Sequence, residues 1–173
     1  MQKDLNDLAA AAAFALSGLR LELDRLKEIP TIPENPDPRI YLGIGDPNIP
    51  GALPYASWRL SEAADQLQPD GPVATSLGHQ WIVFLYSVWE HVYRPRLAVV
   101  HNRNAEEERY PVLGDLRYLR NDVVHHRGVA TRENTGRCQI LLWFQPGEAI
   151  NLKLENIDQF MRIFPWGDIK DGK

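Results

Sequence analysis

This chain of 173 residues is predicted to have a mainly α-helical fold, and three observations predict it. Apolar residues recur at three- and four-residue intervals in long segments, as they do on one face of a helix. Prolines stand where such segments begin or end, at Pro72, Pro111 and Pro165. The alternation of apolar and polar residues that is typical of strands is confined to a short C-terminal segment. We therefore expect one helical-bundle domain spanning residues 1–173, with a proline-rich surface excursion and a small C-terminal β-hairpin.

The first helix is predicted from about Lys3 to Glu28, because leucines and alanines repeat along one side of it. A proline-rich loop, residues 29–56, is expected next. Seven of the thirteen prolines lie between Pro30 and Pro54, and each removes a backbone donor and restricts the residue before it. We expect no regular element there.

A short helix is predicted over 57–68, with Ser57 as its cap. A long helix should then run from Pro72 to about Val100, with its regular hydrogen bonding interrupted at Pro95. Trp89 and Tyr93 carry its apolar surface further round than one core face requires. That excess predicts packing on two sides, the second by a partner subunit.

Pro111 is expected to open the next helix and Gly128 to end it. Its core-facing stripe consists of Val112, Leu116, Leu119 and Val123. A hairpin is predicted over 137–154, with strands at 137–144 and 149–154 and a Pro-Gly turn between them. A last helix should cover 156–164.

Composition narrows the class of protein. No apolar run approaches the ~20 residues of a membrane-spanning helix, and acidic Asp4 and Asp7 argue against a secretory signal. The single cysteine, Cys138, excludes a disulfide within the chain. A cytoplasmic protein is therefore expected, without interaction with membranes.

Charge is unevenly distributed along the chain. The net charge is −4, which argues against a general nucleic-acid binder. Residues 94–137, however, hold nine arginines, no lysine and six acidic residues. The planar guanidinium group suits phosphate better than an ammonium does.

The most informative segment reads Arg-Asn-Asp-Val-Val-His-His-Arg-Gly, from Arg120 to Gly128. On a helix, Arg117, Asn121 and His125 share a polar face, while Arg120 and His125 lie roughly 140° apart. His126 lies at the margin of the apolar stripe, seven positions after Leu119, so we expect His126 to pack against the core and His125 to point outward. The arginine and the histidine therefore need not meet within one subunit. Two copies of this helix meeting across a two-fold axis would bring two arginines and two histidines to one cleft.

Arg120 followed by His125, with Asn121 directly after the arginine, resembles the Arg-x4–6-His signature of the HEPN superfamily (higher eukaryotes and prokaryotes nucleotide-binding domains). The resemblance covers mainly the long helix and the motif helix. It implies a helical bundle, a homodimer and a metal-independent endoribonuclease that cuts by attack of the ribose 2′-hydroxyl on the adjacent phosphate. It also implies a toxin–antitoxin or phage-defence system, with a cognate antitoxin or activator.

By this resemblance Arg120 binds the scissile phosphate of an RNA substrate, His125 is the general acid or base, and Asn121 orients them. His126 also satisfies the spacing, so the choice of histidine stays open. Arg117, Arg127 and Glu90 are auxiliary candidates, and an ion pair between Arg120 and Glu90 would instead indicate a structural role.

No cofactor is expected and no metal site is predicted, because no third ligand lies at helical spacing from the two histidines. The alternative function is a non-catalytic HEPN-like domain for dimerisation or nucleotide binding.

Overall fold

The computed structural model describes residues 2–46 and 48–167, and its architecture is mainly helical, as predicted. The helices are α1 (Gln2–Lys27), α2 (Leu60–Gln66), α3 (Pro72–Val88), α4 (Arg94–His101), α5 (Pro111–His125) and α6 (Leu154–Ile163). Two strands, β1 (Arg39–Ile44) and β2 (Leu53–Arg59), form a small antiparallel sheet.

The core lies around α3, which packs against α1 on one side and α5 on the other. Ile82 and Leu85 of α3 and Leu116 and Leu119 of α5 are almost completely buried. Gly78 lets α3 approach the segment before α6, since a Cβ there would lie 2.7 Å from the Cβ of Leu152. The bundle thus holds α5 by its apolar side and leaves its polar side outward.

The predicted long helix is present, and Pro95 changes its hydrogen bonding as expected. A π-helical turn, Trp89–Tyr93, joins α3 to α4 so that residues 72–101 are continuously helical. The amide of Arg94 bonds to the carbonyl of Trp89 in this wider turn. A proline clashes with the carbonyl four residues earlier in a regular α-helix, and the wider turn relieves that constraint.

The two aromatic side chains that predicted packing on a second side of this helix are covered within the chain. Trp89 and Tyr93 are both buried. The ring of Trp89 packs edge-on against Tyr110, at 5.4 Å between centroids. The hydroxyl of Tyr93 donates to the carboxylate of Asp4 on α1. These two aromatic residues therefore give no reason to place a second subunit on this helix.

The prediction that the proline-rich segment lacks regular structure is wrong, because both strands lie largely within it. Pro54 pairs with Gly43, next to a register shift between Leu42 and Gly43. Bulges and edge strands are the places where a sheet tolerates the missing proline donor. Each strand of a two-stranded sheet is an edge, so the prolines do not prevent pairing.

The second helix is also shorter than predicted. Ser57 pairs with Tyr41 in the sheet, so it is not a helix cap. The helix begins at Leu60 and ends at Gln66, and the carboxylate of Glu62 accepts the amide of Arg59 at 2.8 Å. The strand thus continues up to the first helical turn.

The predicted hairpin over 137–154 is wrong as well, since no strand occurs there in the described part of the chain. Residues 147–150 pair instead with the segment that follows α5. The Ala130 amide bonds to the Glu148 carbonyl at 2.8 Å, and the Ile150 amide to the Gly128 carbonyl at 2.7 Å. The alternation of Ile150, Leu152 and Leu154 with polar residues predicted that all three face the core. Ile150 and Leu152 are buried, but Leu154 is exposed and begins α6.

The predicted last helix is found as α6, beginning two residues earlier than expected and ending at Ile163. Within residues 2–46 and 48–167, no helix is both long enough and apolar enough to cross a membrane.

Candidate active site

Helix α5 carries the candidate motif and is held as the sequence predicted. Pro111 occupies its first turn, where a missing amide costs nothing. Val112, Leu116 and Leu119 are buried and Val123 is partly buried. The opposite side exposes Arg117, while Asn121 and Arg120 are half-buried at its margin.

Arg120 is held in place but is not neutralised. One terminal nitrogen donates to the Oδ1 atom of Asn121 at 3.2 Å. Its Nε atom is buried and has no hydrogen-bond partner. Among the described residues no carboxylate lies within ion-pair distance of it, and Glu90 instead accepts the hydroxyl of Tyr86 at 3.0 Å. Among the described residues the guanidinium group therefore has no carboxylate partner, and Asn121 orients it.

Both histidines are exposed. This agrees with the prediction for His125, but the expectation that His126 packs against the core is wrong. The helix ends at His125, and His126 adopts φ −121° and ψ 23°. Helical periodicity consequently no longer determines where its ring points. Neither ring makes a hydrogen bond to another described residue, so both are accessible to a ligand.

Arg120 and His125 are not in contact within the subunit. Five positions along a helix give a rise of about 7.5 Å and a rotation of roughly 140°. A phosphate that contacts both an arginine and a histidine would therefore need one of these two side chains from elsewhere, for example from a second subunit. Within one chain the arginine and the histidine of the candidate motif are therefore separate.

Asp122 is a residue of the motif whose importance sequence reasoning missed. It is fully buried, and its carboxylate accepts five hydrogen bonds from the loop after α5. Burial alone would raise the pKa of this carboxyl group. Hydrogen bonds to the charged carboxylate outweigh this effect of burial, and the pKa is lowered. They come from the hydroxyl of Thr135, the amide and hydroxyl of Thr131 and the side-chain amide of Asn134. Asp122 therefore fixes the loop that follows the two histidines.

Asp115 does the same for the next stretch of chain. Its Oδ2 atom accepts three consecutive backbone amides, from Gln139 at 2.9 Å, Ile140 at 2.6 Å and Leu141 at 2.9 Å. Successive amides turned towards one carboxylate cannot also form a regular ladder. This contact explains why the apolar run after Arg137 is not a strand.

The chain leaves the motif helix through two residues with positive φ. Arg127, at φ 55°, is exposed, and it makes no hydrogen bond or ion pair to another described residue. Gly128, at φ 73°, lies against His79, whose ring nitrogen is 2.9 Å from the carbonyl of Ile150. A Cβ at Gly128 would approach the His79 ring to 2.2 Å. The close contact fixes the end of α5 against α3.

A cleft of about 600 Å³ opens at the N-terminal half of α5. Its lining includes Arg117 of the motif helix together with two arginines that the motif did not identify, Arg94 and Arg109. The arginine-rich composition of residues 94–137 indicated that arginines could gather here. It could not predict which of the nine arginines of that segment would line one cleft.

Other chemistries receive no support from the described residues. No group of three or more His, Cys, Asp or Glu side chains in the described ranges is arranged to hold a metal ion. Cys138 is buried and its thiol faces the carbonyl of Asp115 at 3.7 Å. Burial, with the charges of Asp115 and Asp122, raises the pKa of this thiol to about 12. It is a core residue, as the sequence indicated, and not a nucleophile at neutral pH.

Comparison of the chain with protein-family models, with curated proteins and with solved structures finds no match.

Proposed function

We propose that this protein is a metal-independent endoribonuclease of the HEPN type, acting as a homodimer. The observation that carries the proposal is the state of Arg120, which is oriented by Asn121 and paired with no carboxylate of the described residues. An arginine positioned in this way is available to neutralise a phosphate. The resemblance of the motif to the family supplies the reaction class.

The chemistry needs one proton acceptor and one proton donor. A base removes the proton of the 2′-hydroxyl as its oxygen attacks phosphorus, and an acid protonates the departing 5′-oxygen. The products are a 2′,3′-cyclic phosphate and a 5′-hydroxyl. Imidazole performs either role near neutral pH, and arginine stabilises the extra charge on the phosphorane-like transition state.

A two-fold dimer supplies both groups. With α5 of each subunit facing its twin, one His125 serves as base and the other as acid, and Arg120 of either subunit holds the phosphate. The exposed position of His125 and the rotation of roughly 140° that separates it from Arg120 favour this arrangement over a site within one chain. His126, which is equally exposed, is the other candidate for the proton transfer.

The direct test is cleavage of labelled single-stranded RNA by Arg120→Ala and His125→Ala variants in the presence of EDTA. Arg96→Ala and His91→Ala are matched controls, because both side chains are exposed and lie outside the motif. We expect cleavage to fall at least about a hundredfold in each motif variant and to persist in the controls. Equal loss in the controls would refute the assignment of these residues.

A mixing experiment tests the shared site. A heterodimer of one wild-type and one Arg120→Ala subunit keeps both histidines and one arginine in a common cleft, and we expect it to retain most of the wild-type activity. A heterodimer of one wild-type and one His125→Ala subunit lacks either the acid or the base, and we expect it to lose most of the activity. Independent sites within each chain would instead leave about half of the activity in both heterodimers. A strictly monomeric protein in sedimentation experiments would also contradict the dimeric arrangement.

One observation favours a second function, a non-catalytic helical domain for dimerisation or nucleotide binding. Arg120 and His125 do not meet within the subunit, so a chain that never pairs through α5 would bind an anion without cutting it. Such a protein would bind RNA or nucleotide through Arg120 and show no cleavage products. The family resemblance also suggests a cognate antitoxin or an activator in a defence system as partner.

A further inference from the structure

The cleft beside α5 contains three guanidinium groups that converge from different parts of the chain. Arg94 begins α4, Arg109 lies in the connector before α5, and Arg117 is on α5 itself. The cleft has a volume of about 600 Å³, which falls in the range of ligand-binding clefts.

Two of these arginines are fixed through Nε, which leaves their terminal nitrogens free. Arg94 donates from Nε to the carbonyl of Glu108 at 3.3 Å, and Arg109 donates from Nε to the carbonyl of Glu106 at 2.9 Å. The guanidinium of Arg117 lies over the ring of Tyr118, 5.3 Å from its centroid. Within the described residues none of the three is in an ion pair. Each is therefore positioned without being neutralised, as a phosphate site requires.

The carboxylates nearest the cleft already have other donors. Glu108 is buried and accepts His101 at 2.8 Å and the hydroxyl of Tyr110 at 3.4 Å. Glu90 accepts the hydroxyl of Tyr86. Burial, together with Glu90, raises the pKa of Tyr86 to about 12, against the opposing charges of Arg117 and Arg94. Tyr86 consequently stays protonated and donates to Glu90. Among the described residues that line the cleft, the exposed Glu106 is the carboxylate without a hydrogen-bond donor.

The cleft adjoins the proposed reaction centre. Arg117 precedes Arg120 by three residues, which is a rise of about 4.5 Å and a rotation of roughly 60° on the same helix. A strand whose scissile phosphate rests on Arg120 would therefore pass Arg117 first and then enter the cleft. Arg94 and Arg109 lie further along that path.

We propose that this arginine cleft is an extended subsite of the proposed nuclease, binding phosphates of the RNA strand next to the one that is cut. The inference rests on the proposed function for the identity of the strand. It predicts a lower KM for longer RNA than for a dinucleotide, because a dinucleotide reaches Arg120 but not the cleft. Binding energy from the distant phosphates then appears mainly in KM for longer RNA.

The test uses the full-length protein with a non-cleavable dodecamer of 2′-O-methyl RNA carrying a fluorescent label. The variant is the double substitution Arg109→Gln and Arg117→Gln. Arg94 is left intact because its contact with the Glu108 carbonyl joins α4 to the connector. The control is Arg20→Gln with Arg96→Gln, which removes the same charge from exposed positions outside the cleft. Thermal melting of both variants checks that they fold.

We expect the cleft variant to raise the Kd of the dodecamer by about tenfold or more, while the control changes it less than about threefold. The slope of log K against log salt should become shallower by about 1.4, since each phosphate contact contributes about 0.7 for a single strand. In cleavage assays the rise in KM for the dodecamer of ordinary RNA should exceed the rise in KM for a dinucleotide.

The outcomes separate this inference from the proposed function. If wild type cuts no RNA but the cleft variant still weakens binding and flattens the salt dependence, the nuclease proposal fails and the cleft stands as a phosphate-binding surface. If wild type cuts RNA and the cleft variant matches the control in Kd and salt slope, the subsite is refuted. Equal weakening in variant and control would also refute it, because only net charge would then matter.

Discussion

Asp122 should be indispensable for stability although it lies within the candidate motif. Its fully buried carboxylate accepts two backbone amides, from Thr131 at 2.8 Å and Thr135 at 3.0 Å, and three side-chain donors. Replacement by alanine leaves those two amides without a partner, at about 1–3 kcal/mol each. The hydroxyl groups can rotate towards other acceptors, so we assign the loss mainly to the amides and expect about 4 kcal/mol.

Urea unfolding followed by circular dichroism measures this loss directly. A decrease of about 4 kcal/mol is a large part of the 5–15 kcal/mol typical of a domain, and should lower Tm by about 10 °C. Asp122→Asn keeps one carbonyl oxygen and should cost roughly half as much. A loss below about 1 kcal/mol for Asp122→Ala would show that the loop does not depend on this carboxylate and would refute the reasoning.

Three further predictions concern the frame of the site. Asp115→Ala should cost about 3 kcal/mol of unfolding free energy and Asp115→Asn only about 1, because one carbonyl oxygen still serves all three amides of 139–141; equal losses in urea titrations would contradict this. Gly128→Ala should cost at least about 2 kcal/mol, since φ is 73° and the new Cβ would meet the His79 ring at 2.2 Å; an unchanged Tm would contradict it. Since the pKa of Asp122 is lowered from 3.8 in the folded state, its contribution is complete above about pH 4 and is lost as pH falls through the lowered pKa. Stability in acid should therefore decline less steeply in Asp122→Asn than in wild type.

Sequence periodicity predicted the helices well where burial alone decides structure. The leucines predicted on one face of α1 are buried or partly buried, and Leu116 and Leu119 of the α5 stripe are fully buried. Pro95 was correctly expected to disturb the long helix. These features depend on local sequence and on one apolar face, which a single chain displays directly.

The strands could not be predicted in the same way, because long-range hydrogen bonds decide them. The segment 137–144 was predicted to be a strand, but the carboxylate of Asp115 accepts the amides of residues 139–141. The run 39–44 contains aromatic and β-branched residues, yet its neighbouring prolines concealed a strand that a bulge at Gly43 and Pro54 makes possible. Tertiary contacts between residues far apart in sequence determine whether a backbone amide donates to another strand or to a side chain.

The candidate site shows the same division. Spacing predicted that Arg120 and His125 would lie on different sides of one helix, and the bond from Arg120 to Asn121 accords with the orienting role assigned to Asn121. His126 was misjudged because the helix ends one residue earlier. Arg94 and Arg109 join Arg117 only through the path of the connector between α4 and α5, which no local pattern encodes.

The measurement that tests the central claim most directly is the analysis of RNA ends after incubation with the protein in EDTA. The substrate is a single-stranded RNA, with a matched strand carrying one 2′-deoxynucleotide on the 5′ side of the preferred cleavage position. The proposed chemistry predicts 2′,3′-cyclic phosphate and 5′-hydroxyl ends, and no cut at the deoxy position. Cleavage that stops on chelation, or that proceeds at the deoxy position, would contradict attack by the 2′-hydroxyl at a metal-free Arg120 and His125 site.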